Sequence, residues 1–253
     1  GTSAVLAATS SASTWRVFIG AAATGMAITI TAAIVNDANK TLNFYPDTTY
    51  TSAATTNLAI DNKGYRLTFD GAGNITFGIT AGRGGYIRGS GGLTKNGTGT
   101  LTLNGTNTYT GDTVINDGDV VMTTAPMGAG PVSVADGARL GVTVHAAGAT
   151  WHTVRLALGT IPSGAVTNDF NFGTNASPTA PVVYATNLMT TGNVYVNMTG
   201  TLSATNYPLI KYASIGGDGF GAFKLGTLPP GVAGALTNNS ASNSVDLNVI
   251  LVA

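Results

Sequence analysis

Gly91-Gly92-Leu93-Thr94-Lys95-Asn96-Gly97-Thr98-Gly99-Thr100-Leu101-Thr102-Leu103-Asn104-Gly105-Thr106-Asn107-Thr108-Tyr109-Thr110-Gly111-Asp112-Thr113-Val114-Ile115-Asn116-Asp117-Gly118-Asp119-Val120-Val121-Met122 is a passage of short strands and tight corners. Leu101-Thr102-Leu103 alternates apolar and polar residues at period two, which puts both leucines on one face of a strand. Asn96-Gly97, Asn104-Gly105 and Asp117-Gly118 supply the positive-φ corners that close such strands.

The same pattern stands earlier in the chain. Leu67-Thr68-Phe69-Asp70-Gly71-Ala72-Gly73-Asn74-Ile75-Thr76-Phe77 aligns with Leu93 to Leu103 at an offset of 96 − 70 = 26 residues. Acidic-glycine corners recur at Asp117-Gly118 and Asp136-Gly137, with spacings of 117 − 96 = 21 and 136 − 117 = 19. A period of this size is a solenoid signal. With short strands, glycine corners and no helical pattern between them, the expected fold is all-β. It is a parallel β-helix (β-solenoid) in which each coil stacks on the one before and buries its Leu, Ile, Val and Phe. The competing arrangement is an antiparallel sandwich with hairpins at the same corners.

The segment 91–122 resembles the passenger-associated repeat of bacterial autotransporters. The positions that carry the likeness are Leu93, Lys95, Gly97, Gly99, Leu101, Leu103, Gly105, Asn107, Tyr109, Gly111, Thr113, Ile115 and Gly118. The resemblance implies a right-handed parallel β-helix displayed outside the cell, and it brings no catalytic residue with it. The stretch from Tyr207-Pro208-Leu209 through Leu228-Pro229-Pro230-Gly231 to Ser244-Val245-Asp246-Leu247 also resembles the segment that often ends such repeat regions.

Composition agrees with strands and corners. All the acidic residues are Asp, and Glu, Gln and Cys are missing. The missing types include strong helix formers, while Thr, Val, Asn and Gly abound. Only 9% of residues are charged and the formal net charge is zero, so there is no basic field for nucleic acid or an anionic membrane. A neutral polar surface of this kind can associate with itself. Without cysteine there is no disulfide, zinc-thiolate site or thiol catalysis. A start at Gly1 suits a mature protein whose targeting peptide has been removed, and an excised segment would look the same.

The chain divides into an N-terminal arm at 1–16, the solenoid at 17–145, and a less regular C-terminal β region at 146–253, read either as irregular coils or as a cap. Val17 to Val35 is uncharged for nineteen residues, long enough to be weighed as a membrane span. Its alternation at Ala27-Ile28-Thr29-Ile30-Thr31 favours strands, so no membrane span is expected. The Gly-rich stretch from Ala81 to Gly92 lacks the Gly-Lys-Ser/Thr ending of a phosphate loop and reads as a loop or bulge.

Few residues could carry chemistry. His145 and His152 are the two histidines, and no Gly-x-Ser-x-Gly elbow precedes either. Asp117 and Asp119 share a strand face, the spacing of an acid/base pair in a polysaccharide-cleaving β-helix, but they read first as a solvated corner. Asp112, Asp117 and Asp119 fit no EF-hand, and Gly216-Gly217-Asp218-Gly219 echoes a calcium nonapeptide only once. The expectation is no catalytic residue, no cofactor and no metal.

The function expected is therefore non-enzymatic: an extracellular structural β-solenoid whose partners are copies of itself, joined end to end or by strand exchange into a fibre. The contact is placed on the arm and the terminal apolar strands, at Val5, Leu6, Trp15, Val17, Phe18, Ile19, Val245, Leu247, Val249 and Leu251. The alternative is an adhesin stalk or passenger segment that touches a host surface or a polysaccharide through loops of 146–240, with Tyr184, Tyr207 and Phe220 as contacts.

Overall fold

A computed structural model describes residues 14–16, 27–28, 34–35, 41–44, 59–62, 64–77, 86–124, 128–174 and 180–252; for the pieces before Ile60, and for Asp61, it gives the backbone. Three coils open the chain: β1 (Thr14–Arg16), β2 (Ala27–Ile28) and β3 (Ile34–Val35); β4 (Thr41–Phe44), β5 (Ala59–Asp61) and β6 (Leu67–Asp70); β7 (Asn74–Phe77), β8 (Tyr86–Arg88) and β9 (Leu93–Lys95). Two-strand coils follow: β10 (Thr100–Leu103) and β11 (Thr113–Ile115), β12 (Asp119–Thr123) and β13 (Val132–Val134), β14 (Arg139–Thr143) and β15 (Trp151–Leu158). They continue as β16 (Ala165–Asn171) and β17 (Val183–Thr190), then β18 (Asn193–Thr199) and β19 (Asn206–Gly217). A 3-10 turn at Gly219–Ala222 leads to β20 (Phe223–Leu225), β21 (Val232–Asn239) and β22 (Ser244–Leu251).

The strands stack into three sheets. One runs β1-β4-β7-β10-β12-β14-β16-β18-β20, a second runs β3-β6-β9-β11-β13-β15-β17-β19-β22-β21, and a third holds β2, β5 and β8. Every pairing is parallel except β19 with β22 and β22 with β21, so the sandwich alternative falls and the fold is a β-solenoid. Nine strands stacked about 4.8 Å apart make the first sheet roughly 40 Å long. The third face outlives its strands: Thr108 N donates to Ile87 O at 2.8 Å and Thr110 N to Gly89 O at 3.0 Å.

The alternation read from the sequence is the packing rule of the core. Ile75, Leu101, Val120, Leu140, Asn168 and Val196 form one inward column of the first sheet, and Phe77, Leu103, Met122, Val142, Phe170 and Met198 form the next. In the second sheet Leu67, Leu93, Thr113, Val132, Leu156 and Leu188 line up beside Phe69, Lys95, Ile115, Val134, Leu158 and Thr190. Each apolar member that leaves water contributes about 1.5–3 kcal/mol.

The offset of 26 is the true register, since Leu67 lies beside Leu93 and Ile75 beside Leu101. The offset of 19 also holds, as Thr113 lies beside Val132. The offset of 21 does not: Lys95 lies beside Ile115, 20 residues on, so Asn116 rather than Asp117 stands over Asn96. Asn116 Nδ2 donates to Asn96 Oδ1 at 2.9 Å, and this amide pair fixes the alignment.

The less regular C-terminal region resolves into longer parallel strands, eight residues in β15 and β17, and then the antiparallel hairpin β21–β22. Asp246 ties that hairpin to the coils: it is buried and accepts from Asn206 Nδ2 (2.8 Å), Asn239 Nδ2 (2.9 Å) and Ser244 Oγ (2.6 Å). The hairpin covers the edge of β19 that would otherwise lie open. Among the described residues no helix is long and apolar enough to cross a membrane.

Candidate functional site: the repeat corner

Residues 93–122 make one coil and the start of the next, and their polar groups are spent on stacking. Asn107 is fully buried; its Oδ1 accepts from Ile87 N at 2.8 Å and its Nδ2 donates to Gly105 O at 2.8 Å. The side chain thus stands in for a strand on the third face. Tyr109 is buried with its hydroxyl 2.7 Å from Thr113 Oγ1, which explains a threonine in a column of leucines and valines. Burial pushes the Tyr109 phenol up to about 12, although the Thr113 hydroxyl pulls the other way.

Glycine is required where coils touch backbone to backbone. A Cβ on Gly111 would lie 2.4 Å from the backbone of Gly91, and one on Gly130 would lie 2.1 Å from Gly111 O. These glycines form a column on which each coil rests directly on the last. Gly97 and Gly118 have φ of 67° and 66°, the left-handed corner expected of Asn-Gly and Asp-Gly.

Lys95 is the residue whose position the motif does not announce. It occupies an inward place between Phe69 and Ile115 and is only 3% exposed. Its stem runs through the core and its Nζ emerges under the corner, donating to Asn96 O (2.6 Å), Gly97 O (2.6 Å) and Asp117 O (3.3 Å). Burial holds the Lys95 ammonium below its ordinary range, against the attraction of Asp117, Asp119 and Asp70. The signal for this burial was present in Leu93-x-Lys95, where the lysine shares its parity with an inward leucine.

The aspartates weighed for chemistry have separate partners. Asp117 Oδ1 accepts from Gly118 N at 2.7 Å, closing its own turn. Asp119 accepts from Thr100 Oγ1 at 3.3 Å and lies 3.7 Å from Arg139, which also pairs with Asp169. Asn197 continues that line across the first sheet by donating to Asp169 Oδ1 at 2.9 Å. Asp112 pairs with Arg66 at 2.5 Å, and Asp218 Oδ2 accepts from Gly192 N at 2.8 Å. Among the described residues no three metal-ligating side chains come together. His145 and His152 are both exposed, with His152 stacked on Tyr184 at 5.4 Å between ring centres.

The residues proposed for self-association are scattered. Val5, Leu6, Val17, Phe18 and Ile19 lie outside the described residues, and Trp15 is in β1. Val245, Leu247 and Val249 point into the chain's own core, while Leu251 is 53% exposed beside Ile250 and Val252. Of the aromatic contacts considered, Tyr207 is fully buried, Phe220 packs on the core, and Tyr184 stands on the outer face.

Compared with known proteins, residues 93–122 match the family model of the passenger-associated-transport-repeat. A comparison with curated protein sequences gives no match. The repeat implies a secreted or cell-surface protein. The match begins at Leu93 and ends at Met122, so it takes in Lys95, Asn107, Tyr109, Gly111, Thr113 and the corner glycines; this chain is a β-solenoid in which one stretch matches the passenger-associated-transport-repeat.

Proposed function

We propose that the chain is a non-enzymatic structural segment of a surface passenger, a rod of stacked coils. The observation that carries this is the use of the repeat's polar groups: Lys95, Asn107, Tyr109, Thr113, Asp117 and Asp119 each bond within or between coils. A rod whose single copies are roughly 40 Å long in negative-stain images of dilute protein, inert toward pectins, alginates and glucans, is the expected result. Cleavage of one of these glycans, lost in Asp117→Asn with Asp119→Asn, would refute it.

Self-association remains part of this reading, with its contact at the C-terminal hairpin. β21 is the last strand of its sheet, and Val232-Ala233-Gly234-Ala235-Leu236-Thr237-Asn238-Asn239 contains neither a charge nor a proline to protect the edge. Ile250, Leu251 and Val252 are more than half exposed beside it. A second copy pairing through β21 would lengthen the sheet. Concentration-dependent sedimentation that disappears in Ala235→Lys with Leu251→Lys supports the contact; unchanged sedimentation removes it.

A specific observation favours adhesion as a second reading. His152, Tyr184 and Lys211 lie in one row across β15, β17 and β19, and Arg155 stands three residues along from His152. These cations stand exposed beside an aromatic pair, a facet suited to an anionic polysaccharide. Binding to uronate glycans on an array, lost in Arg155→Ala with Lys211→Ala, is the expected outcome for adhesion.

A further inference from the structure

The corner beneath Lys95 is where the coils change length. Lys95 pairs with Ile115, and Thr100 with Asp119, so the lower corner has the four residues 96–99 and the upper corner has the three residues 116–118. The coils on either side keep four: Phe69 pairs with Lys95 above the corner 70–73, and Val134 and Arg139 enclose 135–138. One residue is therefore missing from the stack at a single level.

Both corners keep two main-chain bonds to the coil below. In the long corner Asn96 N reaches Phe69 O at 2.7 Å and Gly99 N reaches Gly71 O at 3.1 Å. In the short corner Asn116 N reaches Lys95 O and Asp119 N reaches Gly99 O, while Gly118 N bonds its own Asp117 side chain as Gly71 N bonds Asp70 two coils below. The carbonyls of Asn96 and Gly97 lie under the short corner, and the Lys95 ammonium donates to both and also to Asp117 O of the coil above. A cation on three carbonyl oxygens, with Asp70, Asp117 and Asp119 near enough to act on its charge, is in the arrangement of a bound ion.

We propose that this corner is a cation site, lined by main-chain carbonyls and filled in cis by the Lys95 ammonium, which lets a coil with a four-residue corner carry one with three. The free ligand that fits the same oxygens is a primary ammonium ion. In the inward column Phe69, Lys95, Ile115, Val134, Leu158 and Thr190, the one charged member stands at the one level where a corner shortens to three residues. Charge and missing residue thus coincide.

The test is a compensation made in the full chain. Lys95→Met keeps the apolar stem and deletes the cation, and should lower Tm by about 4 °C or more. A glycine inserted between Asp117 and Gly118 returns the fourth corner residue. It should raise the Tm of Lys95→Met and lower that of the native chain, because there it competes with the ammonium for the same carbonyls. Ethylammonium chloride should raise the Tm of Lys95→Ala above the effect of equal tetramethylammonium chloride. In the native chain the Lys95 ammonium protons should exchange with solvent more slowly than those of Lys211 and Lys224, a readout that needs no variant to fold. Equal Tm for Lys95→Met and the native chain, the same sign of insertion effect in both, or Lys95 exchange as fast as the exposed lysines would each overturn the proposal.

Discussion

Single residues set how this fold responds to pH. Tyr109 ionises at about 12 in the folded chain against 10.0 when unfolded. As pH rises past 10 the unfolded state releases a proton that the folded state keeps, so stability falls until about pH 12, by roughly 3 kcal/mol in all. Alkaline unfolding followed by tyrosinate absorbance should show this phenol titrating with the loss of structure, and Tyr109→Phe should flatten the dependence. At the acid side Asp136 has the opposite sign. Burial pushes its carboxyl up, but hydrogen bonds from the Thr160 hydroxyl and the Thr160 and Ile161 amides outweigh this and hold it below the ordinary value. Its contribution is present above the ordinary carboxylate range and is lost as pH falls through the depressed one, so Asp136→Asn should weaken the acid sensitivity of the turn at 159–164. Gly111→Ala drives a methyl into the backbone of Gly91 and Gly92, and we expect a loss of about 3 kcal/mol in denaturant unfolding.

At the scale of elements, strands and corners were legible because period two and Asn-Gly or Asp-Gly pairs are local signals. Leu67, Leu93, Leu101 and Leu103 could be assigned inward by counting alone. What counting missed is set by the vertical neighbour. The slip from 21 to 20 at Asn116 and the burial of Asn107 and Asp246 depend on the coil above or below, whereas the inward place of Lys95 follows from its parity with Leu93. The hairpin β21–β22 was legible only as an apolar run; the four residues 240–243 are too few for a parallel crossover and make its strands antiparallel, and Asp246 then ties them to Asn206. Asp246→Ala leaves the buried Ser244 hydroxyl and the Asn206 and Asn239 amides without their acceptor and should cost about 2 kcal/mol, with faster amide exchange concentrated in β21.

For the whole molecule, three faces share one rule, in which each coil is bonded chiefly to its two neighbours. Stability is then a sum of coil and interface contributions rather than the property of one closed core. Coils differ in length, from 19 residues between Thr100 and Asp119 to 35 between Ile34 and Phe69, without breaking the ladders. The same geometry has a mechanical side. The backbone hydrogen bonds between coils point along the rod axis, so tension applied to the two ends of the chain opens them one row at a time instead of shearing whole sheets together. A single-molecule pulling trace should show a saw-tooth whose steps follow coil length, from about 65 Å for the shortest coil to about 120 Å for the longest. A passenger that yields coil by coil would lengthen under load while the rest of its rod stays folded.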